Sequence, residues 1–146
     1  MKILVDGDGC PVIEIIQEIA ESYQLQLIVY TDINHQYKLN YGKLITVDQG
    51  YQSVDMKLCN NIRKNDIVIT SDYGLAALAL TKGSEVISFS GREFTDNNIE
   101  RLLLQRHIHF KERRKSGRHT THKKRNIKDD KRFKKKLDNK LSGQSN

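Results

Sequence analysis

The sequence predicts an α/β layer fold built on one mostly parallel, five-stranded sheet with helices on both faces. Three observations support this: five short apolar runs recur along the chain, the runs are continuously hydrophobic, and helical patterns lie between most of them. A continuous run, unlike an alternating one, is typical of a strand that is covered on both faces. Alternating strands and helices predict right-handed crossovers. The predicted strands are residues 2–5, 26–30, 43–47, 66–70 and 85–89.

The segments between these strands predict four helices. The first follows Pro11, which the first turn of a helix tolerates, and carries an apolar stripe. By contrast, residues 31–42 have no helical periodicity and predict a long surface loop. The predicted helical segments are residues 12–23, a segment from about Ser53, residues 74–81, and a segment after a Thr95 or Asp96 cap.

Charge is divided unevenly along the chain. Residues 1–110 hold 10 Lys/Arg and 14 Asp/Glu, a net charge of −4, whereas residues 111–146 hold 15 and 4, a net charge of +11. We therefore expect one α/β domain over 1–110 and a basic C-terminal extension over 111–146. A phenylalanine and two leucines spaced four residues apart predict a short helix over about 129–141 that docks on the body or on a partner.

The basic extension indicates either a polyanionic partner, nucleic acid above all, or simply a solvated cationic tail; composition leaves both open. No apolar stretch reaches the roughly 20 residues of a membrane span, and the N-terminus does not resemble a signal peptide. A cytoplasmic protein is therefore expected. Cys10 and Cys59 lie far apart in the sequence and are expected to be reduced thiols.

Acidic residues follow four of the five predicted strands. These residues are Asp6, Asp32, Asp48 and Asp72. Ligands of open parallel sheets bind at the carboxyl ends of strands, so Asp6 and Asp72 converge there if the first and fourth strands are neighbours. Carboxylates that close repel one another unless a cation lies between them, which predicts Mg²⁺ or Mn²⁺ on Asp6, Asp8 and Asp72. The structural alternatives are helix capping by Asp72 and turn roles for Asp32 and Asp48.

Four motifs in order resemble the uncharacterised bacterial YaiI/YqxD family, which is related to PIN-like domains. They are VDGDGCPV at 5–12, DQGYQSVD at 48–55, DIVITSDYGLAA at 66–77 and KKRNIKDDKRF at 123–133. The similarity extends from Met1 to about Leu141. The resemblance implies a three-layer, Rossmann-like PIN fold over residues 1–110.

The resemblance also implies a metal-dependent ribonuclease whose catalytic carboxylates are Asp6, Asp55 and Asp72, with Asp8 as a nearby helper. From the residues alone, Asp55 has a simpler role, since an acid in a first helical turn complements the helix dipole. The fourth acid of PIN domains has no clear match here, and Asp96 is a weak candidate. The predicted contacts to the nucleic-acid backbone are Arg92, Arg113, Arg114, Lys115, Arg118, Lys123, Lys124 and Arg125.

Two other functions remain open. A strand that ends in Asp-x-Asp is also the nucleophile motif of haloacid-dehalogenase-like phosphatases, with Asp6 as nucleophile, Asp8 as acid/base and a hydroxyl from Thr70 or Ser71.

The second alternative is an RNA-binding protein without activity, for which stacking aromatic residues are candidates. A zinc site on histidines is disfavoured, because no cysteines lie near them and the surrounding lysines and arginines repel a cation. The candidate stacking residues are Tyr37, Tyr41 and Tyr51. The histidines of the disfavoured zinc site are His107, His109, His119 and His122.

Overall fold

The computed structural model describes residues 1–32, 38–48, 53–116 and 124–144. Across these ranges the chain forms an α/β fold, and none of its helices there is long and apolar enough to cross a membrane. The strands are β1 (Lys2–Asp6), β2 (Gln26–Asp32), β3 (Lys43–Val47), β4 (Ile67–Ile69), β5 (Glu85–Ile87) and β6 (Glu93–Phe94). The helices are α1 (Ile13–Ser22), α2 (Val54–Asn61), α3 (Tyr73–Thr81), α4 (Ile99–Ser116) and α5 (Ile127–Gln144).

The strands form one mostly parallel sheet in the order β3-β2-β1-β4-β5-β6. The chain leaves β1 toward β2 and β3 on one side and then returns to β4 and β5 on the other, so the direction of winding reverses between β1 and β4. This reversal is a topological switch point of the kind where open α/β sheets bind ligands. The mostly parallel α/β architecture is thus as predicted.

The predicted strand count of five was wrong by one, because β6 was missed. β6 contains only Glu93 and Phe94 and pairs antiparallel with β5 through a tight turn, in which the amide of Ser88 donates to the carbonyl of Arg92 at 2.8 Å. A two-residue strand leaves no hydrophobic run in the sequence, because only one of its side chains, that of Phe94, faces the core.

Helices cover both faces of the sheet and enclose two apolar cores. Alternate side chains of β1 point to opposite faces, so Ile3 and Val5 pack in one core and Leu4 in the other. The first core contains the apolar side chains of α1 and α5, and the second those of α2, α3 and α4. The sheet strands lack polar alternation because both of their faces are buried.

Helix α5 completes the first core. Its Phe133, Leu137 and Leu141 are buried beside Ile16 of α1. Gly91, at φ +88°, lets the β5–β6 turn approach this helix closely, since a Cβ atom there would lie 3.0 Å from the backbone of Arg132. The predicted apolar stripe therefore docks on the body. The preceding helix α4 continues without a break across residue 110.

A buried ion pair fixes the opposite, amino-terminal edge of the sheet. The side chain of Asp66, 3% exposed, accepts hydrogen bonds from the Lys2 ammonium at 2.6 Å and from two backbone amides, those of Lys2 and Arg63. Burial alone would raise the pKa of Asp66, but these donors outweigh it and hold that pKa below its usual value. Asp66 thereby ties β1 to the loop before β4.

We expect Asp66→Ala to destabilise the fold by about 3–5 kcal/mol, because it leaves the Lys2 ammonium partly buried without its counter-charge. Urea unfolding at pH 7 measures this loss. Asp96→Ala, a change of the same type at an exposed position, is the control and should alter stability by less than about 0.5 kcal/mol. Equal stability of the two variants would contradict this role for Asp66.

Candidate active site

Asp6 and Asp72 meet at the switch point through a shared threonine. Strands β1 and β4 are neighbours, with Val5 paired to Ile69, so Asp6 and Thr70 leave the sheet side by side. The hydroxyl of Thr70 donates to Oδ2 of Asp6 at 2.9 Å and accepts from the amide of Asp72 at 3.1 Å. The sequence predicted that Asp6 and Asp72 converge if the first and fourth strands are neighbours, and β1 and β4 are neighbours in the sheet.

The glycine between the two aspartates of the first motif allows the chain to turn against β2. A Cβ atom at Gly7 would lie 2.6 Å from Cγ2 of Thr31 and 2.8 Å from the carbonyl oxygen of Tyr30, to which the Gly7 amide donates. No larger residue fits there. The turn brings Asp8 toward β2, where its Oδ1 accepts from the amide of Asp32 at 3.2 Å.

Four carboxylates form one electrostatic cluster, which we call the acidic cluster: Asp6, Asp8, Asp55 and Asp72. Burial, which is the largest effect, together with repulsion from the other three carboxylates raises the pKa of Asp6 from 3.8 to about 6, against the lowering effect of the Thr70 hydrogen bond. Burial and the charges of Asp72 and Asp8 also raise the pKa of Asp55. Helix α2 thus points its first turn at the same strand ends as Asp6.

The raised pKa of Asp6 makes the acidic cluster a source of instability at neutral pH. The folded protein binds the Asp6 proton more tightly than the unfolded chain does, so this contribution to stability falls as pH rises from about 4 to about 6. We expect Asp6→Asn to leave stability nearly unchanged at pH 4 and to raise it by up to about 3 kcal/mol at pH 7. Urea unfolding at both pH values measures the difference, and a stabilisation independent of pH would contradict it.

Asp72 is also the N-cap of α3. Its Oδ1 accepts from the amides of Gly74 at 2.8 Å and Leu75 at 3.2 Å, so the capping role considered from the sequence is present. The same oxygen lies 3.7 Å from a guanidinium nitrogen of Arg106 on α4. The cap fixes the position of this carboxylate, and its charge contributes to the raised pKa values of Asp6 and Asp55.

The donor chemistry of the acidic cluster fits a hard divalent cation, because every donor is a carboxylate oxygen and the repulsion between them favours a cation. Within the described ranges, however, no three His, Cys, Asp or Glu side chains form a group that could hold a metal ion. One oxygen each of Asp8 and Asp72 accepts backbone amides instead. Mg²⁺ or Mn²⁺ on Asp6, Asp8 and Asp72 therefore stays a prediction.

Arg125, predicted to contact nucleic acid, makes hydrogen bonds within the protein. It donates to the carbonyl of Phe89 at 2.7 Å and to Oδ1 of Asp130 at 2.8 Å. Its charge also lowers the pKa of Cys10 slightly, although burial raises that pKa to about 12 overall. Arg125 therefore joins the start of α5 to the turn after β5, beside the acidic cluster. Cys10 is a buried, protonated thiol.

The other predicted cationic residues are dispersed. Arg92 is exposed in the β5–β6 turn, Arg113 and Arg114 lie in the last turns of α4, and Lys124 is exposed before α5. Among the described residues, Arg92 lines neither of the two cavities that Arg106 and Arg113 border. Arg118, Lys123 and the side chain of Lys115 lie outside the described residues.

The remaining candidates have ordinary structural positions or lie outside the described ranges. Tyr41 packs on the first core and donates to the carbonyl of Leu25 at 2.7 Å, so its ring is not a free stacking surface. Asp48 and Asp96 are exposed. The candidates outside the described residues are Tyr37, Tyr51, His119 and His122.

Arg106 is the residue of this region that the sequence prediction missed. Together with Ser71, Asp72 and Tyr73 it lines a cavity of 340 Å³ next to the acidic cluster. A signal was present, because Arg106 belongs to a stripe on α4 spaced three and four residues apart, the spacing of one helix face. The stripe is Leu103, Arg106, Phe110 and Arg113.

The fold and the acidic cluster define an α/β protein with a doubly wound sheet and carboxylates at its switch point. A family model described as "Uncharacterized BCR, YaiI/YqxD family" matches residues 4–143. The chain belongs to this family, as its motifs predicted.

Relatives support the same assignment over nearly the whole chain. A UPF0178 protein of Natranaerobius thermophilus is 51% identical over 134 residues, which are 92% of this chain and 91% of the relative. A UPF0178 protein of Clostridium perfringens is 46% identical over 133 residues, 91% of this chain and 89% of the relative. Neither name states an activity.

Among solved structures, Rae1 (YacP) from Bacillus subtilis has a similar fold. The TM-score is 0.50, the sequence identity is 17%, and the match covers 99% of each chain. At this identity the similarity shows a shared arrangement of strands and helices and nothing more.

Proposed function

We propose that this chain is a PIN-like, divalent-metal-dependent nuclease that cleaves RNA. The observation that carries the proposal is the acidic cluster at the switch point between β1 and β4, where Asp6 has a pKa of about 6. Buried carboxylates that repel one another destabilise a fold, and such arrangements are concentrated at functional sites. The cationic α4 and α5 supply the charge that a polyanionic substrate needs.

Asp6, Asp8 and Asp72 would hold the cation, which would supply a bound water of lowered pKa and would neutralise charge on the scissile phosphate. Thr70 fixes the rotamer of Asp6 by donating to one of its oxygens. Asp55, in the first turn of α2, would orient the attacking water. Arg106 adds a positive charge beside Asp72 that a phosphate oxygen can share.

We expect Mn²⁺ to stabilise the protein at pH 7.5, because a bound cation relieves the repulsion within the acidic cluster. At a Mn²⁺ concentration about 100 times the dissociation constant the gain is about 2.7 kcal/mol. The rise in Tm should shrink at pH 5, where protons compete for Asp6, and should vanish in Asp6→Asn. Differential scanning calorimetry measures it, with Asp48→Asn as an exposed control; a shift that persists in Asp6→Asn argues against this cation site.

A phosphatase function is the second candidate, favoured by the direct hydrogen bond between Thr70 and Asp6. Thr70 is less suited to bind a phosphate, because its proton is donated to Asp6 and its oxygen accepts from the Asp72 amide. Incubation with a generic phosphomonoester and mass spectrometry distinguish the two functions. A phospho-aspartate on Asp6 would support the phosphatase, whereas a nuclease forms no such adduct.

A further inference from the structure

A cationic groove runs along α4 from the acidic cluster. A cavity of 480 Å³ is lined by Leu103, Arg106, His107, Phe110 and Arg113, and we call it the α4 groove. Arg106 also lines the 340 Å³ cavity that contains Asp72. Because the side chain of Arg106 borders both cavities, the α4 groove lies next to the cavity that contains Asp72.

The groove contains one buried hydrogen-bond donor that the described structure does not satisfy. Nε of Arg113 is buried and has no acceptor within the described structure. Arg106 is 58% exposed, and its closest carboxylate oxygen, on Asp72, is 3.7 Å away. Among the described residues, no acidic side chain lines the α4 groove itself. A buried donor without an acceptor is unfavourable and rare, so Nε of Arg113 indicates an absent acceptor such as a phosphate oxygen.

The groove also presents an exposed aromatic ring. Phe110 is 52% exposed although it is a large apolar residue, and the guanidinium of Arg114 lies 5.9 Å from the ring centroid. Alternating cations and an open aromatic ring are the features by which proteins bind single-stranded nucleic acids, with bases stacked on rings and phosphates on cations.

We propose that the α4 groove binds the single-stranded part of an RNA substrate and leads one phosphate past Arg106 to the acidic cluster. Cleavage of the bound strand rests on the proposed nuclease function, whereas its binding in the α4 groove does not. Arg113 and Arg106 hold successive phosphates, and Phe110 stacks on a base. The substrate class is therefore unpaired RNA, since a base inside a duplex cannot reach the ring.

Binding can be measured apart from cleavage by fluorescence anisotropy of a labelled single-stranded RNA oligonucleotide in EDTA. We expect Arg106→Ala, Arg113→Ala and Phe110→Ala each to weaken binding about tenfold. Each arginine variant should also lower the salt slope of log K by about 0.7. Matched controls on the same helix are Arg101→Ala and Leu104→Ala, both exposed and outside the groove, and these should bind like the wild type.

The outcomes separate the groove from the nuclease function. If the three groove variants bind RNA as tightly as the controls while the wild type still cleaves RNA with Mn²⁺, the groove assignment is wrong and the nuclease stands. If they lose affinity but the wild type never cleaves, the nuclease is wrong and the groove stands. If they leave RNA binding intact but change the oligomeric state in ultracentrifugation, this face of α4 is a protein interface and the inference is overturned.

Discussion

Asp6→Asn should abolish RNA cleavage while making the protein more stable at neutral pH. The substitution removes a largely buried charge of the acidic cluster, and with it a ligand oxygen of the proposed cation, which would neutralise charge on the scissile phosphate. We expect kcat/KM for single-stranded RNA with Mn²⁺ to fall at least about 100-fold. Without added Mn²⁺, the thermal midpoint of the same preparation at pH 7 should rise, because the amide keeps the shape of the carboxyl group without its charge.

The combination of effects is what distinguishes a functional site from a structural one. A residue that only supports the fold loses activity through instability, whereas Asp6→Asn should lose activity while gaining stability. Glu21→Gln, purified in parallel, controls for contaminating ribonuclease and should cleave like the wild type because Glu21 is exposed on α1. Cleavage by Asp6→Asn at the wild-type rate would rule out the proposed nuclease.

Phe133→Ala should destabilise the protein by about 3–5 kcal/mol. The ring is fully buried in the first core, where it packs with α1 beneath the sheet. Removing it leaves a cavity that the β5–β6 turn cannot fill, because Gly91 already contacts the backbone of α5. Urea unfolding followed by circular dichroism measures the loss.

The control for this variant lies on the same helix. Ile127→Ala also truncates a large apolar side chain, but Ile127 is 69% exposed and the change should cost less than about 0.5 kcal/mol. A small effect at both positions would mean that α5 is a detachable tail. If the effects differ as expected, deletion of the basic segment is a poor test of RNA binding, because it removes part of the core.

The strands were predictable from sequence because each is covered on both faces and therefore reads as an unbroken apolar run. The run at β1, Ile3 to Val5, places its side chains alternately in the two cores and contains no polar residue. Strand β6 was not predictable, since a single buried ring, Phe94, gives no pattern. The docking of α5 followed from its four-residue spacing, but whether it docked on the body or on a partner required the structure.

The candidate site was predictable only up to the strand order. Asp6 and Asp72 converge because β1 and β4 are neighbours, a fact about sheet topology that no local pattern contains. The roles of individual basic residues were the least predictable. Arg125 looks like any other arginine of the basic segment, and its acceptor, the carbonyl of Phe89, lies 36 positions away in the sequence.

The position of α5 also sets when the first core can form during synthesis. The layer beside α1 needs side chains as late as Leu141, and the turn next to the acidic cluster is held by Arg125. During synthesis, which adds about 5–20 residues per second, the first core therefore stays open until the basic segment has emerged. A nascent chain that lacks α5 exposes the apolar face of α1, so the first core and the turn beside the candidate site are complete only after α5 has docked.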